Sequence, residues 1–324
     1  MSMRVLVTGG AGFIGSHYVR SLLGGAYPAF AGAEVVVLDL LTYAGTLTNL
    51  PESDDRMRFV HGDIRDAAAV ADVMAGTDVV VHFAAESHVD RSITGAADFV
   101  STNVVGTQVL LQAALDAEVG RFVHVSTDEV YGSIDEGSWP ETHPLEPNSP
   151  YSASKASSDL LARSYHRTHG LPVCITRCSN NYGPHQFPEK VIPLFVSNLL
   201  DGKKVPLYGD GLNVRDWLHV DDHCRGIQLV AEKGRDGEVY NIGGGTELTN
   251  RELTHRLVAA VGADDSMIEQ VADRKGHDRR YSVDWSKIGD ELGYAPQVPF
   301  DQGLADTVAW YTDNRTWWEP LRTR

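Results

Sequence analysis

The chain has 324 residues, 42% hydrophobic and 22% charged, with 28 Lys+Arg against 44 Asp+Glu and a formal net charge of −16. These values fit a globular protein of about two domains and exclude disorder, collagen and a small cross-linked scaffold. With no Lys/Arg-rich run, this acidity argues against a nucleic-acid partner, whose phosphates are held by basic side chains.

From the N-terminus, residues 4–7 form a short β-branched run that ends in glycines, too short for a signal segment or a membrane span. Residues 14–23 follow with helical apolar spacing. Strand-length apolar runs recur at 35–38, 58–61, 78–82, 122–126 and 173–177, separated by predicted helices at 67–74, 99–116 and 152–169. This alternation predicts an α/β fold, a doubly wound parallel sheet with helices on both faces. Beyond residue 180 the prolines at 184, 188, 193 and 206 and several glycine turns cut the chain into shorter elements, read as a smaller C-terminal α/β lobe. Residues 238–242 read as another buried strand, so the chain re-enters the first domain around 219–243. Helices at 251–261 and 301–312 follow.

The segment Thr8-Gly9-Gly10-Ala11-Gly12-Phe13-Ile14-Gly15 places glycines at 9, 12 and 15 between a strand and a helix. Side chains there would block a diphosphate from the backbone, and the helix start supplies N–H donors and partial positive charge. Asp39 closes the second strand, where a carboxylate accepts hydrogen bonds from both ribose hydroxyls and repels a 2′-phosphate, which favours NAD over NADP. Asp63-Ile64 closes the third and reads either as an adenine flank or as a plain turn.

Tyr151 and Lys155 stand four residues apart, on one helical face, where a cation is expected to lower the phenol's pKa and make it a usable base. Thr127-Asp128-Glu129 follows the fifth strand, at the edge where open α/β sheets place ligands. Neighbouring carboxyls in a partly dry site separate their pKa values, giving one acid and one base.

These motifs, with Phe83-Ala84-Ala85-Glu86-Ser87-His88-Val89-Asp90-Arg91-Ser92, Asn180-Asn181-Tyr182-Gly183-Pro184 and the 273–278 segment, resemble the extended short-chain dehydrogenase/reductase family over nearly the whole chain. Within it, the Thr-Asp-Glu triplet is similar to the branch that dehydrates dTDP-glucose. The resemblance implies a tightly held NAD that is regenerated each turnover, oxidation at C4, loss of water across C5–C6 and hydride return to C6. It assigns the C4 hydroxyl proton to Tyr151 assisted by Lys155, a hydrogen bond on the C4 oxygen to Thr127, the C5 proton to Glu129 and protonation of the leaving C6 hydroxyl to Asp128.

For the cofactor it implies Gly9, Gly12, Phe13, Ile14, Gly15, Asp39, Thr42, Asp63, Ile64, Phe83, Ala84, Ala85, Thr102, Tyr151, Lys155 and Asn181. For the nucleotide sugar it implies Ser87, Thr127, Asn180, Lys190, Pro206, Leu207, Tyr208, Arg215, Asn250, Arg274 and His277, a set whose Arg and Asn donors suit a diphosphate and whose Tyr208 suits a pyrimidine. Residues 1–180 are then the NAD-binding domain and 181–324 mainly the nucleotide-sugar domain. Lys275 departs from the family's usual proline. The resemblance further implies a cytoplasmic homodimer built from helices 99–116 and 152–169.

Three signals receive no functional role. His219-Val220-Asp221-Asp222-His223 next to Cys224 has metal-like spacing but no third ligand nearby and reads as a helix start, so no metal is expected. His185-Gln186-Phe187 is given no role, and Trp310, Trp317 and Trp318 read as core or subunit surface. With only Cys174, Cys178 and Cys224, a disulfide framework is not expected, which suits a reducing cytoplasm. Rival readings are a nucleotide-sugar epimerase, a dehydratase for GDP-mannose or CDP-glucose, and a non-catalytic dinucleotide sensor.

Overall fold

A computed structural model describes residues 2–273 and 278–323. In chain order the strands are β1 (Arg4–Thr8), β2 (Glu34–Asp39), β3 (Met57–His61), β4 (Val79–His82), β5 (Arg121–Thr127), β6 (Val173–Cys178), β7 (Asn180–Tyr182), β8 (Val205–Tyr208), β9 (Val214–His219), β10 (Val239–Ile242), β11 (Glu247–Thr249) and β12 (Ile268–Val271). Seven of them form one parallel sheet in the order β10-β6-β5-β4-β1-β2-β3. The chain winds outward from β1 to β3 and then crosses back to β4 on the other side of β1, so the ends of β1 and β4 flank the point where strand order reverses. In such sheets that crevice holds ligands.

Both faces of the sheet are covered. Val5 and Val7 pack with Val19, Leu22, Ile227 and Val230 on one side, while Leu6, between them in sequence, packs with Val70, Leu110, Leu111 and Ala162 on the other. Alternate side chains point to opposite faces, so a strand buried on both tends to be apolar at successive positions, as Val79-Val80-Val81 is. A separate core of Ile192, Phe195, Trp217, Leu253, Leu257, Leu304, Tyr311 and Trp318 supports two small sheets, β11-β9-β7 and β12-β8.

The predicted helix at 99–116 differs in detail. It runs from Ala96 and opens into a wide π-helical turn at Val100–Gly106 before Thr107–Asp116. Within that turn Asn103 accepts from Glu86 N–H and donates to Glu86 C=O and Ser154 Oγ, while a β-carbon on Gly106 would collide with Ile64. The extra residue per turn places Asn103 between two neighbouring segments, a device common near functional sites. A short helix, Val89–Thr94, also precedes it.

The C-terminal tryptophans are structural. Trp318 is fully buried with its indole N–H on Tyr311 C=O, and Trp310 and Trp317 pack on His185. Trp318→Ala is expected to cost about 3–5 kcal/mol, read as a lower denaturant midpoint.

Candidate active site

The glycine turn joins β1 to helix Phe13–Leu23, which begins with no side-chain cap and no acidic residue in its first turn. Its glycines have different reasons. Gly9 has φ +68° and a β-carbon there would sit 2.6 Å from Ala84 N, while one on Gly15 would collide with Gly9 C=O. These two let the turn pack on itself and on the end of β4. Gly12 is the least crowded of the three, with Gly9 O at 3.3 Å as the one atom near its would-be β-carbon. Asn49 supports the turn from behind, donating to Ala11 C=O and accepting from Trp317 Nε1, both at 3.0 Å.

Asp39, at the end of β2, accepts one N–H on each oxygen, from Ala11 at 2.9 Å and Leu41 at 2.8 Å. Burial pushes its carboxyl pKa up, against those two bonds. Each carboxylate oxygen has lone pairs beyond one bond, so acceptors remain for hydroxyls. Asp63 is held differently, in a 2.5 Å ion pair with Arg65 that keeps its carboxyl below the usual range.

A cleft of about 410 Å³ opens over the strand ends. Every dinucleotide position expected from the sequence, from Gly9 to Asn181, borders it, as do Thr127, Asp128 and Glu129. Of the expected nucleotide-sugar set, Ser87, Asn180 and Lys190 also border it. Lys190 Nζ donates to Ser87 C=O at 2.9 Å, and the buried Asn180 Oδ1 has no hydrogen-bond partner among the described residues. Pro206, Leu207, Tyr208, Arg215 and Asn250 do not border it. They lie on β8, on β9 and at the start of helix Asn250–Ala260. Arg215 is buried, donates to Asp278 C=O and stacks 4.1 Å over the Tyr281 ring. Arg274 and His277, with Lys275, lie outside the described residues.

Three contributors escaped the sequence reading. Gln186 and Phe187 border the cleft, and Phe187 meets Tyr43 edge-on. His223 orients Asn181 through a 2.8 Å bond to its Oδ1, while His219 accepts Asp221 N–H at the helix start. The position of 185–187 just past β7 was the available signal for the first two. Nothing local marks His223, because its partner lies 42 positions away.

Thr127 ends β5 and its Oγ1 accepts Glu129 N–H, which starts the 3-10 turn Asp128–Tyr131 and sets both acids at the cleft. Asp128 is 2% exposed, accepts from Thr127 Oγ1 at 3.3 Å and buries its Oδ2 without a partner among the described residues. Burial, then the neighbouring Glu129 and Asp216, pushes its carboxyl well above the ordinary range, toward the neutral acid. Glu129 is half-buried and accepts from Ser152 Oγ at 3.5 Å.

Tyr151 and Lys155 share helix Pro150–His169, started by a Ser149 cap on Ser152 N–H. Lys155 Nζ donates to Val125 C=O at 2.8 Å, and burial lowers its pKa to about 8 while Asp159 pulls it back up. Tyr151 hydrogen-bonds Thr127, yet its phenol is pushed well above its ordinary pKa, by burial first and then by Glu129. The expected lowering by a cation is therefore not found: burial and Glu129 dominate the phenol, and the ammonium is turned to a strand carbonyl.

Because folded Asp128 keeps a proton that the unfolded chain releases, its contribution to stability is lost as pH rises above the ordinary carboxyl value of 3.8. Asp128→Asn cannot ionise. Its unfolding midpoint is expected to gain on wild type as pH rises from about 4 to about 7, measured by denaturant titration.

A family model described as GDP-mannose 4,6 dehydratase matches residues 6–307. The dTDP-glucose 4,6-dehydratase of Streptomyces antibioticus is 67% identical over 99% of this chain and 96% of its own. The crystal structure of DesIV, a dTDP-glucose 4,6-dehydratase from Streptomyces venezuelae solved with NAD bound, is 69% identical with a TM-score of 0.97, covering 98% of this chain and 100% of that one. A UDP-glucose 4-epimerase from Thermotoga maritima shares the fold at a TM-score of 0.90 but only 34% identity, over 97% of this chain and 100% of its own. On this sequence and structural identity, the chain belongs to the dTDP-glucose 4,6-dehydratase family.

Proposed function

We propose that the protein converts dTDP-glucose to dTDP-4-keto-6-deoxyglucose with a resident NAD, in a redox-neutral cycle. The observation that carries the reading is the dry Asp128 carboxyl beside Glu129, at one cleft with Tyr151 and Lys155. An epimerase needs the Tyr–Lys pair alone, whereas elimination needs an added acid and base.

The residues present fit NAD: Gly12 leaves room for a diphosphate, the helix behind it is uncapped, and Asp39 keeps acceptors for ribose hydroxyls. When bound, NAD supplies the redox chemistry, accepting a hydride from C4 and returning it to C6. In this reading Tyr151 takes the C4 hydroxyl proton with Lys155 as its electrostatic support, and Thr127 hydrogen-bonds the C4 oxygen. The C4 ketone acidifies the C5 proton, which Glu129 removes. Asp128, protonated in its dry position, gives its proton to the departing C6 hydroxyl. Burial raises the Tyr151 phenol, and a positive charge brought by the oxidised cofactor would oppose that rise. Residues 1–180 hold the dinucleotide and 181–324 mainly the nucleotide sugar, with Ser87, Asn180 and Lys190 at the boundary.

A cytoplasmic homodimer completes the reading. Three buried free thiols, Cys174, Cys178 and Cys224, suit a reducing compartment. Val100, Val105 and Leu160 are about half exposed on the adjacent helical segments 96–116 and 150–169, where pairing with a second copy would cover them. Leu160→Glu is expected to yield monomers by light scattering; an unchanged mass would place the dimer face elsewhere.

The activity test is incubation with dTDP-glucose in D2O without added cofactor. The product should lack one water and carry one deuterium, because the C5 proton exchanges with solvent while the migrating hydride does not. An unchanged mass, or a strict need for stoichiometric NAD, overturns the reading. Asp128→Asn should slow water loss by about 10²–10⁴-fold and spare C4 oxidation, as read by the absorbance of reduced cofactor.

A further inference from the structure

Behind the cleft wall, a buried polar chain joins the helix that carries Tyr151 and Lys155 to the turn that carries Asp128 and Glu129. Asp159 lies one helical turn beyond Lys155, wholly buried. Its Oδ2 accepts from Arg177 Nε on β6 at 2.9 Å, and His124 of β5 stands 3.2 Å from its other oxygen. Burial opposes the Asp159 charge, but Arg177 and then His124 outweigh it and hold the carboxyl at about 2. Arg177 is 1% exposed and gives its Nη1 to the Tyr131 hydroxyl at 2.8 Å. Tyr131 is the last residue of the Asp128–Tyr131 turn, and its own hydroxyl donates to Asn241 Oδ1 on β10 at 2.9 Å. Asn241 is tied in turn to the carbonyls of Trp139 and Asp284.

A buried ion pair is weak as a source of stability, because desolvation cancels most of its attraction, but its directional bonds restrict geometry. Here those bonds connect the two halves of the proposed chemistry. Tyr151 and Lys155 serve oxidation, Asp128 and Glu129 serve elimination, and Asp159–Arg177–Tyr131 links them from the dry side. We propose that Asp159, Arg177 and Tyr131 are positioning residues that set the elimination acid and base against the oxidation pair. The proposal rests on the dehydratase reading above.

Tyr131→Phe is the sparing test, since it removes one hydroxyl and keeps the ring that stacks on Trp139 at 5.3 Å and lies under Arg177. Placement errors of an ångström cost large rate factors, so water loss should slow by about tenfold or more while C4 oxidation holds near wild type. In single turnovers with dTDP-glucose, reduced cofactor should accumulate transiently in the variant beyond the wild-type level. Arg177→Lys keeps a cation for Asp159 and removes the reach to Tyr131. It should shift the partition in the same direction, and the double variant should be no worse than the more affected single one. A merely structural role would slow both steps together. If oxidation and water loss fall in parallel, or the partition is unchanged in a folded Tyr131→Phe, the positioning role is overturned. The wild-type chain is run alongside: absence of dehydrated product from it sinks the dehydratase reading and the positioning role together, whereas product from wild type with an unshifted variant sinks only the latter.

Discussion

Burial of the main sheet on both faces is the constraint from which the site follows. A strand covered on both sides is mostly apolar along its length, its few polar side chains needing buried partners, and in a parallel sheet all the like ends lie on one edge. Thr8, Asp39, His82, Thr127 and Cys178 terminate β1, β2, β4, β5 and β6 on that edge. The glycine turn, the Asp39 carboxylate and the acid pair are therefore neighbours in space despite lying far apart in sequence.

The dryness that follows acts on each ionisable group according to its charge. It favours the neutral form, so it raises Asp128 toward a usable acid and lowers Lys155 toward neutrality. It also raises Tyr151, which works against its use as a base. One environment thus favours a protonated Asp128 and disfavours an ionised Tyr151. Behind this wall Asp159 and Arg177 remain charged because each is the other's partner.

Local periodicity made the sheet legible in the sequence: the runs at 35–38, 58–61 and 173–177 are strands, and 67–74 is the helix Ala67–Met74. That the expected dinucleotide positions gather at one cleft was legible for a related reason, since those residues follow strand ends that the pattern marks. What escaped depends on contacts between distant segments. The π-helical turn at Val100–Gly106 answers to Glu86, Ser154 and Ile64, none of them within helical reach. His223 looked like part of a helix start with metal-like spacing, and its partner Asn181 lies on β7, a separate element. The Tyr151 phenol was misjudged because residue spacing reveals a nearby cation but not the loss of water around both groups.

Asn49 has one side-chain group on the Ala11 carbonyl and the other on the Trp317 indole. The segment near the C-terminus and the glycine turn thus share a single side chain as their hinge pin. Were a ligand on the turn to tighten this contact, reciprocity would require an anchored C-terminal segment to favour that ligand by the same free energy.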